Sequence, residues 1–261
     1  MDSNEKGAPR VAVTLKDGQQ GSVLVGNAFH TLEDKSVAVF ETESIVSLTE
    51  YLSKKEDFVV FYDDVSAEAW PNDMDRYSKK IASCICATSP ELALIMKCHQ
   101  QKLTPAELEE LLRAIRPCLD EKGKVLLESA RVFTISKTTK IEQSKDNAGN
   151  FAYHVTRESA KGAGEVEIPK AIKFTVQIFD CCPETMELEF EPRFFWTESK
   201  DGVSMTYSFE NPRVSIEIRK AKRECIEKYI KDIAAEIHYG SIEVSTQDDS
   251  WKYKANPLTD K

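Results

Sequence analysis

No apolar run in this chain approaches the roughly 18 residues that a membrane-spanning helix needs. The longest, Phe58-Val59-Val60-Phe61-Tyr62, is strand-sized. Basic excess is missing too: 35 Lys and Arg stand against 44 Asp and Glu, a net charge of −9. A basic nucleic-acid module is therefore not the default reading, because neutralising phosphates takes clustered positive charge. The start, Met1-Asp-Ser-Asn-Glu-Lys-Gly7, is polar and lacks a basic stretch leading into an apolar one, so no secretory leader is expected. With 10 Gly and 10 Pro in 261 residues, collagen-like and low-complexity readings drop out.

The seven cysteines, at 84, 86, 98, 118, 181, 182 and 225, form no repeating framework. Cys84-Ile85-Cys86 and Cys181-Cys182 lack the two-residue gap by which neighbouring thiolates reach one zinc ion. Cys98 and His99 diverge on a helix. Reduced, buried thiols in a cytosolic protein are the expectation, with no metal and no cofactor.

Periodicity supplies the architecture. Val11–Leu15 and Ser22–Val25 flank Asp17-Gly18 and predict a hairpin, with Val37–Phe40 a third strand. Ser44 caps a helix of about 44–54, on which Ile45, Leu48, Tyr51 and Leu52 form the apolar stripe. Phe58–Asp63 and Ile81–Thr88 read as strands. Ser89-Pro90-Glu91 and Thr104-Pro105-Ala106-Glu107 each put a capping hydroxyl before a proline at the first helical position. The second helix ends at Pro117, and a third spans about Asp120 to Arg131. Further on the period becomes two. Ile172, Phe174, Val176 and Ile178, then Met186, Leu188 and Phe190, then Val203, Met205, Tyr207 and Phe209 alternate with polar residues, as in an antiparallel meander. Asn211-Pro212 opens a long helix to about His238, stopped by Gly240. Its stripe of Ile218, Ala221, Cys225, Tyr229, Ile233 and Ile237 is expected to cover the meander. The polar tail after Gln247 is expected to fray. The fold class is α+β: an antiparallel meander packed on a long C-terminal helix, with an N-terminal strand-rich part and a central helical part.

The run Gly164-Glu-Val-Glu-Ile-Pro-Lys-Ala-Ile-Lys-Phe-Thr-Val-Gln-Ile-Phe179 resembles the YfdQ-like family of bacteriophages and prophages, a domain-of-unknown-function group. So do Met186-Glu-Leu-Glu-Phe190 and Ser204-Met-Thr-Tyr-Ser-Phe-Glu-Asn-Pro-Arg213. The likeness takes in Phe58–Phe61, Trp70, Asp75-Arg76, Leu103–Leu108 and Phe151–Arg157. It covers about 200 residues, from roughly Glu43 to Gly240. It divides the chain into a strand-rich segment 1–42, an α+β domain 43–246 and a tail 247–261. Where the family tends to carry arginines after the second meander strand, this chain has Pro192-Arg193-Phe194-Phe195-Trp196. The resemblance implies phage origin and a bacterial host cytoplasm, and it implies no chemistry.

No local catalytic motif is present. None of the histidines at 30, 99, 154 and 238 adjoins a nucleophile motif, and Gly162-Ala-Gly164 is too short to cradle a phosphate. Asp63, Asp64, Glu68, Asp73 and Asp75 lack calcium-loop spacing and read as a solvated loop. Trp70 within that stretch is either a core anchor or, with Asp73, Asp75 and Arg76, part of a partner surface. The basic residues of the last helix are interleaved with acids; Glu224 to Lys228 and Glu227 to Lys231 suit (i, i+4) pairs. Arg193, Phe194, Phe195 and Trp196 combine the residue types enriched at interface anchors beside an open strand edge, so self-association there is expected.

Two functions remain in play. One is a non-catalytic phage accessory protein that binds itself and a host protein or small signalling molecule, countering host defence or redirecting a host factor. The other is an accessory of phage DNA replication or recombination that binds nucleic acid.

Overall fold

A computed structural model describes residues 20–25, 28–33, 39–72, 80–135, 138–145, 151–157, 164–199, 202–234, 236–244 and 251–255. The first half contains β1 (Gln20–Val25), β2 (Ala28–Glu33), β3 (Phe40–Thr42), α1 (Ile45–Leu52), β4 (Phe58–Tyr62), β5 (Ser66–Pro71) and β6 (Ala82–Ile85). Helices α2 (Pro90–Cys98), α3 (Pro105–Ala114) and α4 (Glu121–Ile135) follow. Then come β7 (Thr138–Lys145), β8 (Phe151–Arg157), β9 (Gly164–Ile168), β10 (Ile172–Gln177), β11 (Thr185–Ser199) and β12 (Gly202–Glu210). The chain closes with α5 (Val214–Ile230), β13 (Glu236–Val244) and β14 (Trp251–Ala255).

The helix starts follow the capping chemistry. The Ser44 side chain accepts from Ser47 N, that of Ser89 from Leu92 N, and Thr104 forms a complete capping box with Glu107. Each satisfies a backbone donor that the first turn leaves unpaired.

Two hydrophobic cores result. In the first, the alternating apolar residues of the β10-β11-β12 meander, among them Phe174, Phe190, Tyr207 and Phe209, pack against Leu92, Leu108, Leu112 and Leu126 of α2–α4. The start of α5 joins them through Val214 and Ile218. The rest of α5 turns to the second core. There Cys225, Ile226 and Ile230 meet Ile45, Leu48 and Leu52 of α1 over the inner face of a six-stranded sheet, ordered β14-β13-β4-β5-β6-β3. The helix expected to cover the meander therefore divides its apolar stripe between the two cores. The meander's face is filled mainly by the shorter helices that precede it.

Several expectations change. Ser22–Val25 lies within β1, which pairs with β2, while 11–15 lie outside the described residues. The acid-rich stretch after β4 is not all loop: Glu68 and Trp70 stand on β5, paired antiparallel with β4. The last helix ends at Ile230. Glu236–Tyr239 run as a strand parallel to β4, and Gly240, at φ 154°, lies within β13. Residues 251–255 pair with β13 instead of fraying. The six-stranded sheet thus draws strands from both sides of the boundaries at 42 and 247.

Lys228 pairs with Glu184, not Glu224, and Glu227 accepts from Tyr62, not Lys231. Arg219 pairs with Asp64 at 2.8 Å, which also accepts from Tyr239. Within the helix, the pair formed is Lys220–Glu224. Arg219 and Lys228 thus fasten α5 to the turn after β4 and to the residue preceding β11. No helix among the described residues is long and apolar enough to cross a membrane.

Candidate binding cleft

A cleft lies along one flank of β11, and hydrogen-bond parity locates it. Tyr207 of β12 exchanges both backbone hydrogen bonds with Leu103, and Phe209 O accepts from Gln100 N. Those peptide groups face away from β11, so Ser208 and Glu210 face it, opposite Arg193 and Glu191. The peptide groups of Pro192, Phe194 and Trp196 consequently face the other flank. That flank is covered by β10 only as far as Ile172, opposite Phe190. Before Ile172 the chain turns away through Pro169 and Lys170 into β9, which pairs with β8 instead. Beyond Phe190, β11 has an open edge among the described residues. Pro192 falls where its missing N–H costs no ladder bond.

A cavity of about 450 Å³ fills the angle between this edge and the β7-β8-β9 sheet. Phe194 and Trp196 line it from β11, facing Tyr153 of β8 and Ile168 of β9. The Tyr153 ring meets Phe194 edge-on at 4.9 Å and Trp196 at 5.5 Å, geometries that aromatic quadrupoles favour. Burial pushes the Tyr153 phenol up to about 12, so it stays a neutral hydroxyl. The Tyr207 hydroxyl behind Phe194 has no hydrogen-bond partner among the described residues, and burial pushes its pKa up as well. Lys170, Arg193 and Glu191 line the polar side, and Arg193 pairs with Glu210 at 2.8 Å. Backbone N–H and C=O groups beside aromatic faces suit an extended polypeptide, held by strand addition with alternate side chains in the pocket.

The four residues expected at a self-association surface are divided by the pleat. Phe194 and Trp196 face inward. Arg193 and Phe195 face out, with Phe195 44% exposed beneath the Lys102 ammonium. No bend at Pro192 gathers the aromatics, because β11 alternates without interruption. Sequence reasoning missed the opposite wall, Tyr153 and Ile168, which a separate sheet supplies. Of the second expected surface, only Trp70 is described. Trp70 is half-buried on β5 with its indole N–H toward Glu68, while Asp73, Asp75 and Arg76 lie outside the described residues. Beside it a larger cavity, about 550 Å³, is lined by Glu41, Glu68 and Lys80, whose ammonium sits 3.7 and 3.4 Å from the two carboxylates. Its charges already face one another.

All seven cysteines are free thiols, four buried and three half-buried. Burial pushes Cys225 up to about 11 and raises Cys182.

Searches against family models, curated proteins and solved structures find no match for this chain.

Proposed function

We propose that this chain is a phage-encoded accessory protein that acts by binding in a bacterial host cytoplasm, countering host defence or redirecting a host factor. The open flank of β11 is its docking edge. The phage origin rests on the resemblance of residues 43–240 to the YfdQ-like family. The binding role rests on one observation: the hydrogen-bonding edge of Pro192, Phe194 and Trp196 ends its own ladder beside an aromatic cavity. An unpaired strand edge is a template for another strand, and a second copy of this chain is the first occupant to test. Its exposed neighbours Phe195 and Arg193 are residue types that anchor interfaces.

Light scattering at micromolar concentration tests this reading. A mass of at least twice 29.5 kDa is expected, and a mass of 29.5 kDa overturns self-association. Phe195→Glu should dissociate the assembly while circular dichroism stays native. Trp196→Glu is a poor probe, because Trp196 packs against Tyr153. Labelled single- and double-stranded DNA should migrate unchanged at low salt. Salt-sensitive nanomolar binding would replace this reading with the nucleic-acid one.

A further inference from the structure

Four buried cysteines and a half-buried fifth gather at one place in the second core. Cys84 and Cys86, at the end of β6, lie with their sulfurs 3.6 Å apart, and the Cys181 thiol faces Cys86. Cys182 Sγ lies 3.5 Å from Cys225 Sγ on α5. Among the described residues, only this last pair has a carboxylate beside it: one oxygen of Glu184 and the two sulfurs all fall within 4.8 Å of one another.

We propose that Cys182, Cys225 and Glu184 form a binding site for one thiophilic divalent cation of the Zn²⁺ type. The spacing fits. At a Zn–S distance of about 2.3 Å, tetrahedral angles separate two thiolate sulfurs by about 3.8 Å. The 3.5 Å seen here needs only a small adjustment.

The donors are held from behind. Glu184 accepts from Lys228 Nζ at 2.8 Å and from Tyr229 OH at 2.6 Å, residues three and four positions after Cys225 on the same helix. One turn of α5 therefore supplies a sulfur ligand and both groups that orient the carboxylate, the outer-shell arrangement that fixes a ligand's direction. The charges also close. Two thiolates and a carboxylate carry −3, balanced by +2 from the ion and +1 from Lys228. Three protein donors leave a fourth position, reached past Glu184, whose side chain is 16% exposed. The sequence hid this site because its sulfurs come from a loop and a helix far apart in the chain.

Co²⁺ alone is the probe, added to the reduced full-length chain without oxygen. One equivalent should produce thiolate-to-cobalt charge transfer in the near ultraviolet and the visible bands of a tetrahedral centre, both lost when Zn²⁺ is added. Cys182→Ser and Cys225→Ser should each weaken Co²⁺ binding by more than about tenfold, while Cys118→Ser leaves it unchanged. If either serine variant loses its native circular dichroism, Glu184→Gln serves instead: the charge-transfer band should persist with affinity lowered about tenfold or more. No charge-transfer band in the unsubstituted protein overturns the assignment. So does a band that survives in folded Cys182→Ser and Cys225→Ser, or an affinity unmoved by Glu184→Gln.

Discussion

Thr104 and Glu107 hold one another at the start of α3. The Thr104 hydroxyl accepts from Glu107 N at 3.3 Å, while the Glu107 carboxylate accepts from Thr104 N at 2.7 Å and from its hydroxyl at 2.8 Å. Thr104→Ala should cost about 1 kcal/mol in urea melts, and Thr104→Ser nearly nothing, because the serine hydroxyl can still accept. The same bonds have a pH signature. The Thr104 backbone N–H, then its hydroxyl, hold the Glu107 carboxyl below its ordinary pKa. A carboxyl depressed by folding stabilises the protein above its unfolded pKa, and that contribution disappears as pH falls through the folded value. Glu107→Gln should therefore destabilise near neutral pH, with the gap to the unsubstituted protein closing as the solution passes below the carboxylate range. A gap constant with pH would remove the charge from the account. Caps of this kind are legible in sequence because donor and acceptor lie within one turn of each other.

Along β11 the pleat makes neighbouring residues energetically unlike. Phe194 lies inside an aromatic cluster with Phe133, Tyr153 and Tyr207, whereas Phe195 stands outside. Phe194→Ala should lower stability by about 3–5 kcal/mol, and Phe195→Ala by no more than about 0.5 kcal/mol. Comparable losses at both positions would mean that the strand does not alternate there. The meander was readable because its residues are large and strictly alternate. β5 was not: its inward residues are Ala67 and Ala69, too small to give a clear apolar signal against Ser66, Glu68 and Trp70. The end of α5 misled for the opposite reason. Ile233 and Ile237 continue a helical spacing, but parallel pairing with β4 takes residues 236–239, and no local pattern records a partner at the far end of the chain. The cleft was half legible on the same grounds. Arg193–Trp196 announce themselves by composition, while Tyr153 and Ile168 reach them only through tertiary packing.

At the scale of the molecule, the meander core is built from residues 92–218, nearly contiguous in sequence, whereas the sheet core combines residues 40–86 with 178–239. Helix α5 enters both. Deleting 236–261 removes β13 and β14 and bares the flank of β4, a strand buried along its whole length. The shortened chain should keep most of its helical circular dichroism yet scatter light as aggregate, since an exposed, flat, apolar edge recruits other strands. A shortened chain that stays dispersed with an unchanged urea midpoint would show that β13 contributes little.

The parallel pairing of β13 with β4 also sets a calendar for synthesis. As the chain leaves the ribosome, β4 emerges long before its neighbour β13, so the nascent protein carries an uncovered apolar strand until residues 236–239 have been made. The meander and α2–α4 can assemble in the meantime, because their contacts are closer in sequence and close sooner. Pausing or premature release before residue 236 would leave a half-finished sheet beside a finished core, the state in which this protein is most exposed to chaperones and proteases.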